Sequence, residues 1–429
     1  MVYMSLSTNS YKGTRDLYPE DMRLRNYVFS KWREVVESFG YEEYDAPMLE
    51  PLEVYAAKSG QEIVNDQTYQ FVDRGDRQVA IRPEMTPSVA RMVAARRQEM
   101  ALPARLYSIS NFMRYERPQK GREREFWQLN FDLFGAEGIK ADIEVLSLSS
   151  AIVKSFGATD DMFTIRVSDR NWIDFVMRDY LELDENRAMA MVKLFDHFHK
   201  IDRDNFNKAA AEIFGETDAT TGIEKVSKLL VDSIDDLPVE VRGAAFASIR
   251  VAIEELRKRG IANVKFDPTL MRGFDYYTGV VFEIFDEAPE NRRAMFGGGR
   301  YDGLVGLFGV EDLPVVGAAP GETMFIEFLT AHDLLPHLEP TTQVMVIEVD
   351  GANSAEVATT LRARGLSIAV DFTDRKTDKK IKAAVKAGMP FALFVGDNEL
   401  ASGTFPLKNL ETGEQVTLDL AQIVVTLAD

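Results

Sequence analysis

The sequence contains no cysteine and only four histidines. The lack of cysteine excludes disulfide bonds, thiolate metal sites and a cysteine nucleophile, and it favours a reducing, cytoplasmic environment. His197 and His199 lie two residues apart in a helical pattern, and that spacing does not put two side chains on one helix face. We therefore expect no metal site built from histidine or cysteine.

Long apolar segments are also lacking. No segment approaches the roughly 20 residues needed to span a bilayer, and the polar residues 1–12 lack the apolar core of a signal peptide. The motifs GxxxxGK[ST], GxSxG and HExxH are missing as well, so the sequence matches neither a P-loop nor these two hydrolase patterns. A cytoplasmic protein that uses none of these motifs is expected.

The net charge is −19, despite 50 lysines and arginines. So acidic a chain does not bind nucleic acid indiscriminately, but it can bind RNA through local basic patches. Two segments are rich in cations. One is the loop Arg114–Arg124, which is either an exposed charged turn or a clamp for phosphate. The other is a helical segment with Arg375, Lys376, Lys379, Lys380, Lys382 and Lys386, which is either a solvated face or an RNA contact.

The 429 residues suggest about three domains. Strand-like patterns at 105–116 and 124–135 flank the first basic loop, and 171–260 predicts a helical insertion. Pro336 and Pro340 mark a linker at 329–341. The segment 342–429 alternates strands and helices, which predicts a small α/β domain with a mainly parallel sheet. The triplet 297–299 resembles a flexible glycine turn.

Period-2 alternation is clearest in residues 127–133. Gln128, Asn130 and Asp132 share one face of the predicted strand, opposite an apolar face. The polar face lies either in solvent or along a cavity. In the segment 82–87, Thr86 is a candidate helix cap, whereas Glu84 is a candidate ligand for an ammonium group.

Together these segments resemble histidyl-tRNA synthetases over nearly the whole chain. Residues 41–50 are similar to motif 1 of class II synthetases, which helps to form the dimer interface in that family, and residues 112–135 are similar to motif 2. Residues 272–277 and 298–303 resemble the two histidine-specific motifs. Residues 395–410 are similar to part of the anticodon-binding domain.

The resemblance implies an α/β fold. Its α+β catalytic domain, expected at 1–328, would have a class II antiparallel sheet flanked by helices, with the insertion at 171–260. An α/β anticodon-binding domain would follow the linker. The implied function is activation of histidine with ATP and Mg²⁺, followed by transfer to tRNA(His), by a homodimer.

Several residue roles follow from the resemblance alone. Histidine would be bound by Glu84, Thr86 and Gln128 at its ammonium group, by Asp132 and Tyr277 at its imidazole nitrogens, and by Tyr276 along the pocket wall. Arg114 would bind the α-phosphate of ATP, Glu116 would face adenine, and Arg272 would bridge the histidine carboxylate and the phosphate. For tRNA, the implied contacts are Arg122, Arg124, Lys379 and Lys382.

One position departs from the family pattern. Met324 stands where class II motif 3 has an arginine for the γ-phosphate, and Arg300 or a motif 2 arginine is a possible substitute. Two other functions therefore stay open. One is a regulatory subunit of ATP phosphoribosyltransferase, and the other is a non-catalytic relative that binds histidine or tRNA.

Overall fold

The structure is a computed structural model that describes residues 7–56, 66–117, 119, 121–216, 218–231, 233–271, 277–291 and 293–427. The chain divides into two compact units. One contains Met1–Asp16 and Arg25–Leu335, and the other contains Leu17–Leu24 and Pro336–Asp429. Within the described ranges, no helix is both long and apolar enough to cross a membrane.

Most of the chain before residue 336 belongs to the larger unit. The strands are β1 (Glu42–Glu43), β2 (Leu49–Pro51), β3 (Gln70–Val72), β4 (Gln78–Ile81), β5 (Ala104–Met113), β6 (Glu125–Phe134), β7 (Phe163–Asp169), β8 (Val264–Phe266), β9 (Val280–Asp286), β10 (Ala294–Arg300) and β11 (Val315–Ala318). The helices are α1 (Pro19–Ser38), α2 (Glu53–Ala56), α3 (Thr86–Ala95), α4 (Ile139–Lys154), α5 (Arg170–Phe175), α6 (Glu185–Asp196), α7 (Arg203–Phe214), α8 (Ala219–Leu229), α9 (Ala244–Lys258) and α10 (Glu322–Ala331).

An eight-stranded sheet forms the centre of this unit, in the order β1-β5-β6-β11-β10-β9-β7-β8. The β1–β5 and β7–β8 pairs are parallel, and the other neighbours are antiparallel. The expected antiparallel sheet flanked by helices is therefore confirmed. A second sheet has the order β2-β4-β3.

The sheet positions the central hairpin firmly. Strands β5 and β6 pair along ten residues each, from Ala104↔Phe134 to Met113↔Glu125. Leu129, Phe131 and Leu133 are buried, and each fully buried side chain of this kind contributes roughly 1.5–3 kcal/mol. A one-residue slip would move these side chains to the other face, so burial sets the register and the direction of the polar side chains between them.

The glycine triplet is part of a strand, so the expectation of a flexible turn at 297–299 is wrong. Gly298 pairs with Ala318 on one side and with Phe282 on the other. A Cβ atom at Gly298 would collide with the carbonyl oxygen of Gly317. Close approach of neighbouring backbones, rather than a turn, requires glycine here.

The segment expected as a helical insertion is helical where the structure describes it. The described residues from 170 to 258 form α5 to α9 with short π and 3-10 segments and contain no strand. The insertion packs on the sheet through α9 against α4, β7 and β8. The Trp172 indole N–H also donates to the Val241 carbonyl at 3.1 Å, which ties both ends of the insertion together.

The smaller unit has its own five-stranded sheet. Its elements are β12 (Val344–Glu348), α11 (Ala355–Ala363), β13 (Ile368–Asp371), α12 (Thr377–Lys386), β14 (Phe391–Val395), α13 (Asp397–Ser402), β15 (Thr404–Asn409), β16 (Gln415–Asp419) and α14 (Leu420–Leu427). The order is β13-β12-β14-β15-β16. The first three strands are parallel, as expected, but β15 and β16 pair antiparallel, so the sheet is mixed rather than mainly parallel.

Candidate functional site

The polar residues of β6 lie inside the protein. Asn130 and Asp132 are buried, and Gln128 lines a cavity. Gln128 also forms an isolated bridge with Gly321, and the Leu129 N–H donates to the Pro320 carbonyl at 2.9 Å. The interpretation of this row as a solvated face is therefore wrong, and the segment before α10 lies directly beside it.

Asp132 is the most perturbed carboxyl group of this region. Asp132 pairs with Gly317 of β11 across the sheet. A Cβ atom at position 317 would collide with the Asp132 side chain. Burial raises its pKa to about 7, and the hydroxyl of Tyr301, which donates to it, lowers that value only in part. A carboxyl group with this pKa exchanges its proton near neutral pH.

Tyr277 contacts the tyrosine that donates to this carboxyl group. Its ring makes an edge contact with Tyr301, with 6.5 Å between the ring centroids. A Cβ atom at Gly299 would come within 2.9 Å of the Tyr277 ring. The glycines of β10 and β11 therefore leave room for the Asp132 side chain and the Tyr277 ring, both of which contact Tyr301.

The segment 82–87 lies against the start of the basic loop. Arg82 is buried and donates to Asp45 Oδ1 at 2.9 Å and to the Ala46 carbonyl at 2.7 Å. Arg114 Nε donates to the Pro83 carbonyl at 2.9 Å, which brings Arg114 next to half-buried Glu84. Thr86 is the first residue of α3, whose N-cap is Met85, and no side chain caps this helix. The capping role considered for Thr86 is therefore wrong.

The basic loop divides into exposed and buried parts. Arg122 has a half-exposed side chain and contacts Glu116 Oε2 at 3.2 Å. Arg124 was expected to contact tRNA, but it is buried. Its guanidinium group lies over the Tyr115 ring at 4.0 Å and donates to the Tyr11 hydroxyl at 3.1 Å. Arg124 therefore holds the loop in place and is not available to a polyanion in this structure.

A cavity of about 1090 Å³ adjoins these segments. Its lining includes the expected residues Arg114, Glu116, Arg122 and Gln128, together with Met324. Glu84, Thr86, Asp132 and Tyr277 are not part of the lining. The expected Arg272 and Tyr276 lie outside the described residues.

Met324 lies against the basic loop, since a Cβ atom at Gly121 would overlap its sulfur atom. Arg300 cannot replace a cation at this position. Its guanidinium group forms a buried ion pair with Asp142, at 3.0 Å between Nη2 and Oδ2, and donates to the Gly138 carbonyl at 3.2 Å. The hypothesis that Arg300 substitutes for the motif 3 arginine is therefore wrong.

Another buried ion-pair network lies at the start of α10. Glu322 is 1% exposed and lines the cavity. It contacts Arg25 and Arg15, each at 3.0 Å, and Arg15 also contacts Glu123 at 3.0 Å. The charges cancel, so this network carries little net charge into the cavity, and breaking it would leave a buried charge without a partner.

Sequence reasoning missed several cavity residues. Arg166, His199 and Lys200 line it, and two of them come from the insertion. Burial alone would raise the pKa of Asp267, but hydrogen bonds from His199 and Thr269 lower it to about 2. Only the tertiary contacts of the insertion bring these side chains here, so no local pattern could have found them.

Arg293 is the other cation that sequence reasoning missed. It precedes β10, lines the cavity, and donates from Nη2 to Gln119 Oε1 of the basic loop at 3.0 Å. Within the described residues, Arg293 forms no ion pair with a carboxylate, whereas Arg122, Arg166 and Lys200 each do. This leaves the charge of Arg293 available to an anionic ligand.

In the smaller unit, Lys379 and Lys382 are exposed, as expected. Lys380 is an exception within the basic patch. It is buried, and its ammonium group donates to the carbonyls of Glu348 at 3.0 Å and Asp371 at 3.2 Å. Lys380 therefore has a structural role and is not part of the exposed patch.

Comparisons with known proteins agree with one another. The family model for histidyl-tRNA synthetase matches residues 13–321, and the model for an anticodon binding domain matches residues 343–429. The histidine–tRNA ligase of Leptospira biflexa is 42% identical over 427 residues, which covers 98% of each chain.

Among solved structures, the histidyl-tRNA synthetase of Nostoc has the same fold, with a TM-score of 0.83 and 24% identity over 99% of each chain. A Bacillus halodurans protein described as an ATP phosphoribosyltransferase regulatory subunit/histidyl-tRNA synthetase aligns with a TM-score of 0.75 at 24% identity. That alignment covers 92% of this chain and 100% of the other.

Proposed function

The chain belongs to the histidyl-tRNA synthetase family, and we propose on this premise that it activates histidine with ATP and transfers the histidyl group to tRNA(His). The observation that carries the proposal is buried Asp132, which accepts a hydrogen bond from Tyr301, while the Tyr277 ring contacts Tyr301. Asp132 lies on the same strand as Gln128, which lines a cavity with several cations. A pocket that offers hydrogen bonds to both nitrogens of an imidazole rejects side chains that leave those bonds unmade.

Histidine would lie with its imidazole between Asp132 and Tyr277, and Tyr276 would line the same pocket. Its ammonium group would contact Glu84, Thr86 and Gln128. Support comes from the position of Glu84 beside Arg114, because a carboxylate there can pair with the ammonium group while the guanidinium group faces the other end of the amino acid.

ATP would occupy the cavity of about 1090 Å³. Arg114 would bind the α-phosphate, Glu116 would face adenine, and Arg272 would lie between the histidine carboxylate and that phosphate. Two anions brought together repel strongly in a low-dielectric site. A cation held between them removes this repulsion and stabilises the charge that develops in the transition state, so catalysis would consist of positioning and electrostatics.

Mg²⁺ would enter with the nucleotide. Among the described residues, no group of three or more His, Asp or Glu side chains could hold a metal ion. Single carboxylates such as Glu116 and Glu283 do line the cavity. That donor set fits Mg²⁺, which proteins usually hold with one or two carboxylates plus substrate phosphates. The ion would neutralise phosphate charge, while the arginines orient the nucleotide.

tRNA would contact both units. Arg122 on the half-exposed part of the basic loop would meet the acceptor end, and Lys379 and Lys382 would meet the anticodon. Arg124 is buried and would not contact the RNA. The family match over residues 343–429 supports the anticodon contact.

A homodimer and a cytoplasmic location stay predictions. Leu49, Phe71 and Val72 of the β2-β4-β3 sheet are about half exposed, and exposed apolar clusters favour association. Sedimentation of the protein, and of a variant with charged residues at Phe71 and Val72, tests the dimer. An unchanged sedimentation coefficient in the variant would contradict an interface on this sheet.

Histidine-dependent exchange between pyrophosphate and ATP tests the proposed activity. We expect exchange with L-histidine and none with other amino acids. The regulatory function remains the second candidate, because Met324 occupies the motif 3 position. Binding of histidine without any exchange would favour that candidate or a non-catalytic relative.

A further inference from the structure

One aromatic side chain on the smaller unit is left in solvent. Phe372 is the first residue after β13 and is 77% exposed, more than any other large apolar side chain in the described ranges. Leaving a ring of this size in water forgoes the free energy that burial would contribute. The position is therefore informative only if the chain holds the ring there.

Hydrogen bonds on both sides fix this loop. The buried carboxylate of Asp371 accepts bonds from the Thr373 N–H at 3.0 Å, from the Thr373 hydroxyl at 2.5 Å and from Arg375 Nη2 at 3.0 Å. Buried Lys380 donates to the Asp371 carbonyl at 3.2 Å. The loop is thus built around Phe372, and the ring projects from a rigid support.

Several cations follow Phe372 in the sequence, and three of the exposed ones lie on α12. Between residues 372 and 386 the exposed charged side chains are Asp374, Arg375, Lys376, Asp378, Lys379, Lys382 and Lys386. Five of these are positive and two are negative, in a chain whose net charge is −19. A local excess of positive charge within an acidic protein attracts phosphate groups to that part of the surface.

We propose that Phe372 is a stacking surface for an unpaired base of RNA, with the cations of α12 on the adjoining phosphates. Exposed aromatic rings within basic surfaces bind single-stranded nucleic acid in this way, because every base has a face that can stack. The inference rests on the proposed tRNA substrate and adds a specific contact to the lysine patch. A protein partner is less suited, since one isolated ring offers far less than the roughly 1,000 Å² of a stable interface.

The test uses the full-length protein and a tRNA(His) transcript. Three variants separate stacking from simple apolar contact, namely Phe372→Ala, Phe372→Leu and Phe372→Trp. Val425→Ala is a matched control, because Val425 is 71% exposed on the same unit and residues 420–429 include no Lys or Arg. Aminoacylation gives kcat/KM for tRNA, and pyrophosphate exchange without tRNA reports on histidine activation alone.

We expect Ala and Leu at position 372 to lower kcat/KM for tRNA about tenfold, within the range for one stacked base. Trp and the control should retain wild-type values, and exchange should be unchanged in all variants. A wild-type value for the Leu variant together with a loss for the Ala variant would overturn stacking in favour of apolar packing. Wild-type values for both would overturn any role of the ring.

A second measurement needs no catalysis. In Phe372→Trp the new indole should lose fluorescence when a hairpin of the anticodon arm is added, beyond the change in wild type, which has three tryptophans. No additional quenching at saturating RNA would overturn the inference. Absence of pyrophosphate exchange in wild type, with quenching intact, would instead reject the proposed activity.

Discussion

Replacing Asp132 with Asn should stabilise the protein by an amount that grows with pH. The pKa of Asp132 is about 7 in the folded protein against about 3.9 for an unperturbed aspartate. The folded state therefore binds this proton more tightly than the unfolded state does. The carboxyl group costs nothing below the unfolded pKa. Its cost grows as pH rises, by about 1.4 kcal/mol per pH unit, and levels off above pH 7.

The full cost is about 4 kcal/mol, and roughly 2–3 kcal/mol of it develops between pH 5 and pH 8. Asn cannot ionise and still accepts a hydrogen bond from Tyr301, so Asp132→Asn escapes this cost. Urea unfolding of both proteins at pH 5, 6, 7 and 8 measures the difference. Asp204→Asn is the control, because Asp204 is exposed on α7 and should show no such trend.

The same variant should lose function while it gains stability. Asn cannot carry the negative charge that an imidazole N–H favours, so we expect a higher KM for histidine and an unchanged KM for ATP in pyrophosphate exchange. A stability difference that stays constant from pH 5 to pH 8 would refute the assigned ionisation. Unchanged use of histidine would refute the role in the pocket.

Three further changes test other parts of the proposal. Arg293→Gln removes the cavity cation without a described carboxylate partner, so the KM for ATP should rise about tenfold or more; an unchanged value would show that Arg293 does not meet the nucleotide. Glu322→Ala leaves buried Arg25 without its partner and should cost about 3–5 kcal/mol in urea unfolding, so a loss under about 1 kcal/mol would contradict the importance of the pair. Arg272→Ala should abolish pyrophosphate exchange and leave the thermal unfolding curve unchanged, and near-normal turnover would reject the bridging role.

Much of the architecture could be predicted because local patterns report local structure. Period-2 alternation in residues 127–133 indicated β6 and the polar side chains that share one of its faces, and burial in the folded protein decided that this face points inward. Acidic residues after Pro19 favour the start of a helix, and α1 runs from Pro19 to Ser38. Where the prediction failed, as for the glycines of β10, the reason was a neighbouring strand that the local sequence does not reveal.

The candidate site was predictable in part. Local sequence reveals which residue types lie on one hairpin, but it does not reveal which of them are buried by distant parts of the chain. Residue types and spacing singled out the basic loop that begins at Arg114 and the polar row with Gln128 and Asp132, which belong to one hairpin. The roles predicted for these residues came from the family resemblance. Residue types and spacing could not show that Arg124 and Lys380 are buried, because burial depends on Tyr11, Tyr115 and two strand-end carbonyls that fold against them.

The sequence therefore shows which side chains are present, whereas the fold decides which of them are accessible to a ligand. The sequence alone indicated several of the strands and helices, showed which family motifs occur, and showed that position 324 carries no cation. Only the tertiary structure decided that Arg300 is committed to Asp142, that Arg293 and the insertion reach the cavity, and that the pKa of Asp132 is near 7. Charge and solvation depend on distances between residues far apart in the chain, and those distances exist only after folding.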